Sequence, residues 1–263
     1  MKEEAMQKLE LKPNDITKEK VKELKKKDIE MVELYAISSN NYILGHSKVG
    51  HTFEELKKAS KLIKRGRIDL GYKIAVGFPD STRLDELNTA KELARFKPKY
   101  IKICPTLVIK NTIIEEMYNN GEYEPITLEQ TIERCKELYY FFEKKHIDTI
   151  RVQNEEFSEK SLVAGPYNEM IEQLVESRIW YDSIVNKIKK FNVKVKEVEI
   201  ELNPLDVKHV VGSENENVKK LKEFYEVDVK IAEDEKKTQG KFDIKILKTF
   251  SDFYEEKEES KKE

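Results

Sequence analysis

The sequence predicts an α/β protein in which parallel strands alternate with helices. Apolar runs of strand length recur along the chain, and the segments between them have the periodicity of amphipathic helices. At 263 residues the chain is long enough for one large domain or for a core with a small addition. Short βα units of this kind build an open parallel sheet or part of a (β/α) barrel, joined by right-handed crossovers.

The first 157 residues supply five predicted strands, at residues 7–11, 29–37, 71–78, 100–104 and 147–152. Helices are predicted after the capping residues Thr17, Thr52 and Thr127, because a threonine hydroxyl can accept a hydrogen bond from the first helical turn. Another helix, over residues 84–96, ends before Pro98. After residue 104 a Pro-Thr turn, a short helix and a Gly-Glu-Tyr loop follow.

The composition changes from Ser158, and no strand is predicted again until residues 194–202. The segment between Ser158 and this strand is predicted to form one or two helices. The last part has the order strand, turn, helix, glycine-containing turn, helix, strand, strand, which is typical of a compact α+β module. We therefore predict a partial barrel over 1–157, a helical connection over 158–193, the α+β module over 194–250 and a charged tail over 251–263.

The charge balance of the chain means that any nucleic-acid or membrane partner must use a local patch. Charged and hydrophobic residues each make up 38% of the chain and the net charge is -2, so no global field directs it to nucleic acid or membrane. No apolar run approaches the roughly 20 residues of a membrane span, and the N-terminus is charged where a signal peptide would be apolar. A cytoplasmic location without a membrane partner is expected.

Five motifs occur in a fixed order: ELYAIS at 33–38, KVGHT at 48–52, GYKIAVGFPD at 71–80, CPTLVIK at 104–110 and LVAGPYNEMIEQLVES at 162–177. Together they resemble radical-SAM proteins of the bacterial elongator-complex catalytic-subunit-like group. The resemblance implies a radical-SAM-type barrel in which residues 7–11 form the third strand, so that the first two βα units and their cluster loop are missing. The expected fold is an incomplete barrel with an α+β appendix.

The cofactors of that family are a 4Fe–4S cluster, held by a CxxxCxxC motif, and S-adenosylmethionine. This chain contains only Cys104 and Cys135. No cofactor is therefore expected in this chain, and no catalytic residue or metal ligand is assigned. Cys104 is better explained as a small hydrophobic residue at a strand end, and Cys135 as a packing residue of a helix. His46 and His51 could be read as a metal pair, but His51 is better explained as the turn residue before Thr52.

The altered positions fall where the family's ligand-facing side chains would lie: Lys12, Asn14, Ile37, Val49, Lys73 and Cys104. Ser38, Gly77 and Pro105 match the family and are predicted as vestigial SAM-site positions. Glu33, Ser38 and Lys73 could form a small polar cluster at one end of the sheet, although such a cluster is too generic to name an acid and a base.

The segment 209–225, HVVGSENENVKKLKEFY, is loosely similar to a KH-type RNA module, whose GxxG loop approaches the phosphate backbone. Its loop is GSEN, with a glutamate and without the second glycine. Lys219, Lys220 and Lys222 are predicted RNA contacts, although a lysine run on an amphipathic helix is more often a solvated face.

Three hypotheses for function follow. The chain is a degenerate or truncated radical-SAM protein that is not catalytic alone, the C-terminal half of a split enzyme acting on tRNA, or an RNA-binding pseudoenzyme. The candidate partners are a complementary cluster-bearing chain or a second copy at the exposed edge of strand 7–11, and tRNA. A genuine enzyme of another chemistry is the least favoured alternative.

Overall fold

The computed structural model describes residues 7–147 and 149–252, so the predicted tail lies outside the described residues from 253 onward. The chain forms two compact units that divide after Glu172. The sequence places its main change in composition earlier, at Ser158.

The first unit contains the βα repeats. Its elements are β1 (Lys8–Leu11), α1 (Lys18–Lys26), β2 (Met31–Ile37), α2 (Asn41–His46), α3 (Phe53–Arg65), β3 (Asp69–Val76), α4 (Arg83–Ala94), β4 (Tyr100–Pro105), β5 (Val108–Ile109), α5 (Ile113–Asn119), α6 (Leu128–Glu143), β6 (Thr149–Val152) and β7 (Leu162–Ala164). Helix α7 (Ile171–Ile188) crosses the division between the units.

A five-stranded parallel sheet is the centre of this unit, in the order β1-β2-β3-β4-β6. The strands of this sheet lie in the order in which they occur in the chain, with the short β5 outside it, as expected when each crossover contains a helix. The predicted α/β class with parallel strands is confirmed. The predicted caps are also present, because the hydroxyls of Thr17, Thr52 and Thr127 accept hydrogen bonds from backbone N–H groups in the first turns of α1, α3 and α6.

The two faces of the sheet differ because successive side chains of a strand point to opposite sides. One face is apolar and fully buried, with Val32, Leu34, Leu70, Ile74, Ile101 and Ile103 each at most 1% exposed. Helices α3, α4 and α6 pack against the strands. The opposite face carries charged and aromatic residues, among them Glu33, Tyr35, Lys73 and Lys102.

The expectation that no strand lies between residues 158 and 194 is wrong. Strand β7 pairs antiparallel with β5, with Val108 opposite Ala164. Two or three residues are too few to produce a periodic signal. Gly165 lets the chain after β7 pass close to the backbone of Leu107. It has φ +118°, and a Cβ there would lie 3.2 Å from the Cα of Leu107. Helix α2 is another short element that the sequence did not predict.

The second unit contains β8 (Val195–Leu202), α8 (Val207–Val211), α9 (Glu216–Tyr225), β9 (Asp228–Glu233) and β10 (Phe242–Thr249). Its sheet has the order β10-β8-β9, with β8 parallel to β9 and antiparallel to β10. The buried amide of Asn217 donates hydrogen bonds to the backbone oxygens of Ser177 and His209, which ties α9 to α7 and α8. In the described part of the chain, no helix combines the length and apolar character needed to cross a bilayer.

Candidate functional site

Lys73 is the central residue of the charged sheet face. Its side chain is only 2% exposed, and its Nζ lies 2.9 Å from Glu10 Oε2 and 2.8 Å from Glu155 Oε2. The ammonium group also lies 4.3 Å from the ring centre of Tyr35, at cation–π distance. Glu10 is on β1, Lys73 on β3, and Glu155 follows β6. The ion pairs therefore connect both edges of the sheet to its middle strand.

Further contacts complete the charged network. The Tyr35 hydroxyl donates to Glu10 Oε2 at 3.0 Å, and Lys102 Nζ donates to Glu10 Oε1 at 3.4 Å. Lys8 pairs separately with the buried Glu33 at 2.9 Å. Glu33 and Lys73 thus share a face, as the predicted polar cluster requires, but each has a different partner.

The charged partners of Glu10 and Lys73 shift the pKa values of both groups. Desolvation raises the pKa of Glu10, but hydrogen bonds and attraction from Lys73, with smaller contributions from Tyr35 and Lys102, lower it to about 2. Burial lowers the pKa of Lys73, but the Glu155 and Glu10 carboxylates outweigh burial and raise this pKa above its ordinary value. Both groups are therefore charged throughout the neutral range, which makes Lys73 unsuitable as a general base near pH 7.

Gly77, a predicted SAM-site position, has both backbone polar groups engaged by the protein. Its N–H donates to Glu86 Oε1 at 2.7 Å, and its carbonyl accepts from the Tyr123 hydroxyl at 2.7 Å. Glu86 is 3% exposed and also accepts from Arg134 at 3.0 Å. Gly77 has φ +71°, which favours glycine. In this structure Gly77 connects β3, α4, α6 and the loop after α5.

The other two predicted positions lie near Gly77 or near a cavity. Pro105 is the register partner of Val76, so it lies beside Gly77. The Ser38 hydroxyl accepts from the Asn40 N–H at 3.1 Å, and its neighbour Ile37 lines the same cavity as Pro105. That cavity has a volume of about 120 Å³. Pockets that hold drug-sized ligands have about 300–1,000 Å³, so a molecule as large as SAM does not fit inside it.

A larger depression of about 640 Å³ lies beside β6 and the loop after it. Its lining includes Tyr100, Arg151 and several glutamates, among them Glu156, Glu159 and Glu169. The acidic lining makes it unsuited to phosphate-bearing ligands.

The cysteines present do not fit an iron–sulfur cluster. Such clusters are held by thiolates, whereas the chain has two cysteines, which lie on different elements, β4 and α6, and are both buried. Burial raises the pKa of Cys104 and of Cys135, so both favour the protonated thiol. Within the described ranges no group of three or more His, Cys, Asp or Glu residues could hold a metal ion.

The predicted RNA-contact lysines lie on α9, in the second unit. Lys220 pairs with Glu216 at 2.5 Å and Lys222 with Asp228 at 2.5 Å. Lys219 is exposed and lines a groove of about 530 Å³ together with Lys222 and Lys230. Glu197, Glu223 and Asp228 line the same groove, so its charges balance.

Sequence reasoning identified Lys73 but missed its partners. Glu10 could have been found, because Lys8 and Glu10 alternate with Leu9 and Leu11 and must share one face of β1. Glu155 lies in a segment without regular structure. No periodicity places such a residue over the sheet.

Comparison with known proteins gives three findings. Residues 98–181 match the model of the Radical_SAM C-terminal domain. The chain is 34% identical over 128 residues to the tRNA uridine(34) acetyltransferase of Methanocaldococcus jannaschii and 32% identical over 128 residues to that of Methanocaldococcus infernus, which covers 48% of this chain and 24% of each relative. The solved structure of M. infernus Elp3 with an N-terminal deletion matches with a TM-score of 0.61 and 28% identity, over 68% of this chain and 41% of that one.

These findings, with the parallel sheet, define the chain as a relative of the radical-SAM proteins with a partial barrel of that type. More particularly, it is a relative of the elongator-type group to which Elp3 belongs, which confirms the resemblance seen in the CPTLVIK motif. The match spans about a quarter of the length of the curated relatives.

The substitution Gly77→Ala tests whether Gly77 is tightly packed against its neighbours. A Cβ there would lie 2.7 Å from Ile126 side-chain carbons, whereas Gly121, with nearly the same φ of +74°, has no atom within 4 Å. Both substitutions strain the backbone, but only Gly77→Ala adds a clash. We expect it to lower the free energy of urea unfolding by about 1–3 kcal/mol more than Gly121→Ala does. Equal losses in the two variants would show that Gly77 is not tightly packed.

Proposed function

We propose that this chain is a non-catalytic relative of the elongator-type radical-SAM proteins, and that it acts in tRNA modification as a binding or scaffold protein in the cytoplasm. The link to tRNA is supported by the names of its relatives, which are tRNA uridine(34) acetyltransferases. Because the match covers a quarter of those relatives, their activity is not transferred to this chain.

The ion pairs of Lys73 are the observation that carries the non-catalytic proposal. A barrel enzyme builds its site from side chains on the inner strand face and at the carboxyl ends of the strands. In this chain that face is occupied by Lys73, which forms ion pairs with Glu10 and Glu155 at 2.9 and 2.8 Å. The backbone of Gly77 is bonded to Glu86 and Tyr123. These groups satisfy each other and leave little polar capacity for a cofactor.

RNA binding through the second unit is the part of the proposal that concerns a partner. Two parallel strands, β8 and β9, are joined by the helices α8 and α9 with a turn between them. This arrangement supports the comparison with KH-type modules. The turn begins at Gly212, with φ +73°. Glu214 in this turn disfavours a close phosphate contact. Lys219 is the strongest of the three candidate contacts, because Lys220 and Lys222 are paired with acidic side chains.

The second candidate function is one half of a composite radical-SAM enzyme. Within the described residues β1 pairs only with β2. Its other edge therefore offers unpaired backbone groups on which a further strand could form. A cluster-bearing chain that completes the barrel would then supply the electron that reductive cleavage of SAM needs.

Anaerobic reconstitution with iron and sulfide tests the non-catalytic proposal. We expect iron to remain well below four atoms per chain, and no 5′-deoxyadenosine to form from SAM with dithionite, because two buried thiols cannot replace three thiolates. A Cys104→Ser, Cys135→Ser double variant should retain the same small amount of iron. A radical-SAM protein with a CxxxCxxC motif serves as the positive control.

A stoichiometric cluster that cleaves SAM, and that disappears in the double variant, would contradict the proposal. Cleavage that occurs only after a second, cluster-bearing chain is added would favour the composite enzyme instead.

Filter binding to unmodified tRNA tests the RNA partner. We expect Lys219→Ala to weaken binding and to reduce the slope of log affinity against log salt by about 1, as for loss of one phosphate contact. Lys220→Ala should have a smaller effect, because Lys220 is paired with Glu216. If Lys219→Ala leaves both affinity and slope unchanged, α9 is not the contact surface.

A further inference from the structure

The amino-terminal end of the five-stranded sheet is surrounded by basic side chains. The strands are parallel and each crossover contains a helix, so α1, α3, α4 and α6 end where the next strands of the sheet begin. Every lysine and arginine within residues 25–27, 64–67, 95–99 and 144–145 is exposed, and these four segments contain no acidic residue. We call this set of cations the basic end.

Contacts within the first unit hold the four segments side by side. The Lys64 ammonium group donates to the Lys97 carbonyl at 3.1 Å, so the ends of α3 and α4 touch. Strand β2 begins beside β3, and β4 begins beside β6. Neighbouring strands of a sheet lie roughly 4.8 Å apart. The cations therefore form one continuous surface rather than four separate ones.

Most cations of the basic end are not neutralised by an acidic side chain. Lys27 pairs with Glu23, and Lys99 pairs with Asp69 at 2.8 Å. The side chains that form no ion pair with any described residue include those of Lys25, Lys26, Arg65, Arg67, Lys97 and Lys144. Their charges are available to an external partner.

Stabilisation of the helices explains only part of this surface. A basic residue in the last turn of a helix interacts favourably with the partial negative charge of the free carbonyl groups there. Such residues are present in the last turns of α1 and α3. Arg67, Lys97 and Lys99 lie beyond the caps of α3 and α4, where this effect has fallen off.

Two cations of the basic end occupy backbone positions that favour glycine. Arg67 has φ +58° and Lys97 has φ +48°, each in the turn from a helix to the next strand. Helices often end with a left-handed residue, which is usually glycine because a Cβ is strained in this region. Arg67 and Lys97 thus hold a charge where the local backbone favours no side chain. Strain of this kind is found at functional surfaces.

The opposite end of the same unit is acidic. The first turns of α1, α3, α4 and α6 and the depression beside β6 supply acidic residues there, among them Glu19, Glu54, Asp85, Glu129 and Glu156. The net charge of -2 therefore conceals a separation of charge along the strands. The positive field at the basic end attracts a polyanion.

The side chains around the cations favour one kind of polyanion. A protein that lies on a lipid surface buries apolar anchors in it, and single-stranded nucleic acid is bound by stacking of bases on aromatic rings. None of the exposed large hydrophobic residues in the described part of the chain lies at the basic end. A double-stranded RNA stem is recognised mostly through its phosphates and 2′-hydroxyl groups, without apolar anchors.

We propose that the basic end binds the phosphate backbone of a double-stranded RNA stem. The inference rests on the proposed function, since tRNA supplies the stem. It adds a contact surface in the first unit to the one proposed on α9 of the second unit.

Filter binding of the full chain to unmodified tRNA over a series of KCl concentrations tests the surface. We expect the triple variant Arg65→Gln, Arg67→Gln, Lys97→Gln to bind at least about 10-fold more weakly at 0.1 M salt. The slope of log affinity against log salt should become shallower by about 2 to 3, because each lost phosphate contact removes about 0.9.

The matched control is the triple variant Lys18→Gln, Lys48→Gln, Lys110→Gln. These lysines are also exposed, lie outside the basic end, and include Lys48, whose φ of +48° equals that of Lys97. The control removes the same total charge. It should leave affinity and slope close to those of the unmodified chain.

Arg67→Gly separates binding from a structural role. Glycine relieves the left-handed strain, so the urea midpoint should not fall, whereas the slope should become shallower by about 1. Arg67→Lys keeps the charge and should keep the slope. If Arg67 only terminates α3, Arg67→Gly will bind tRNA like the unmodified chain.

The proposal is overturned if the two triple variants change the slope equally, or if Arg67→Gly leaves tRNA binding unchanged. It is also overturned if unstructured poly(U) binds as tightly as an RNA stem-loop, or if vesicles containing phosphatidylserine bind the basic end and tRNA does not. When Lys219→Ala still lowers the slope, the proposed RNA partner stands and only this surface fails. When the unmodified chain binds no tRNA, both fail.

Discussion

The first unit depends on a buried ammonium group held between two carboxylates that are far apart in the chain. Lys73 has almost no contact with solvent, and transferring its charge out of water is costly unless it is paired. Glu10 and Glu155 provide the pairing from opposite edges of the sheet. Loss of either carboxylate would leave the buried ammonium group less well compensated, and because Glu10 and Glu155 are 33% and 41% exposed, solvent screening makes that loss smaller than for a fully buried pair. The sheet must therefore keep β1 and the loop after β6 in register with β3.

This constraint also shapes what the site can do. Parallel α/β proteins usually place polar groups at the carboxyl ends of strands for use by a ligand. In this chain those groups satisfy one another: Lys73 with its carboxylates, Ser38 with Asn40, and Gly77 with Glu86 and Tyr123. Within the part of the chain that the structure describes, the buried side-chain atoms of this area without a hydrogen-bond partner include Glu33 Oε1 and the Thr106 hydroxyl. Most of the polar groups at this edge of the sheet are thus bonded within the protein.

The sequence predicts those parts of the architecture that produce a periodic pattern of apolar residues or a local capping motif. The strands of the large sheet, the threonine caps of α1, α3 and α6, and the parallel order all follow from periodicity and local hydrogen bonding. The family relationship was visible in the CPTLVIK and KVGHT motifs. The β5–β7 pair was missed, because each strand is too short to show alternation. Glu155 was missed because an irregular loop carries no pattern that predicts which side chain turns toward Lys73. The hydrogen bonds from Glu86 and Tyr123 to the backbone of Gly77 could not be predicted either, since a sequence motif does not show which side chains approach a backbone group.

The carboxyl group of Glu10 reports most directly on the Lys73 ion pairs. A ¹³C NMR titration of that carboxyl should show no change of protonation near the ordinary glutamate value and a midpoint at about pH 2. Since the folded pKa lies below the unfolded value, the stabilisation from this pair is complete above about pH 4.3 and is lost as the pH falls toward 2. In a Lys73→Met variant the ammonium group no longer opposes desolvation of the Glu10 carboxyl. The pKa of Glu10 should therefore rise toward the ordinary range of glutamate. A midpoint near 4.5 in the unmodified chain, unchanged in the variant, would contradict a sheet organised around Lys73.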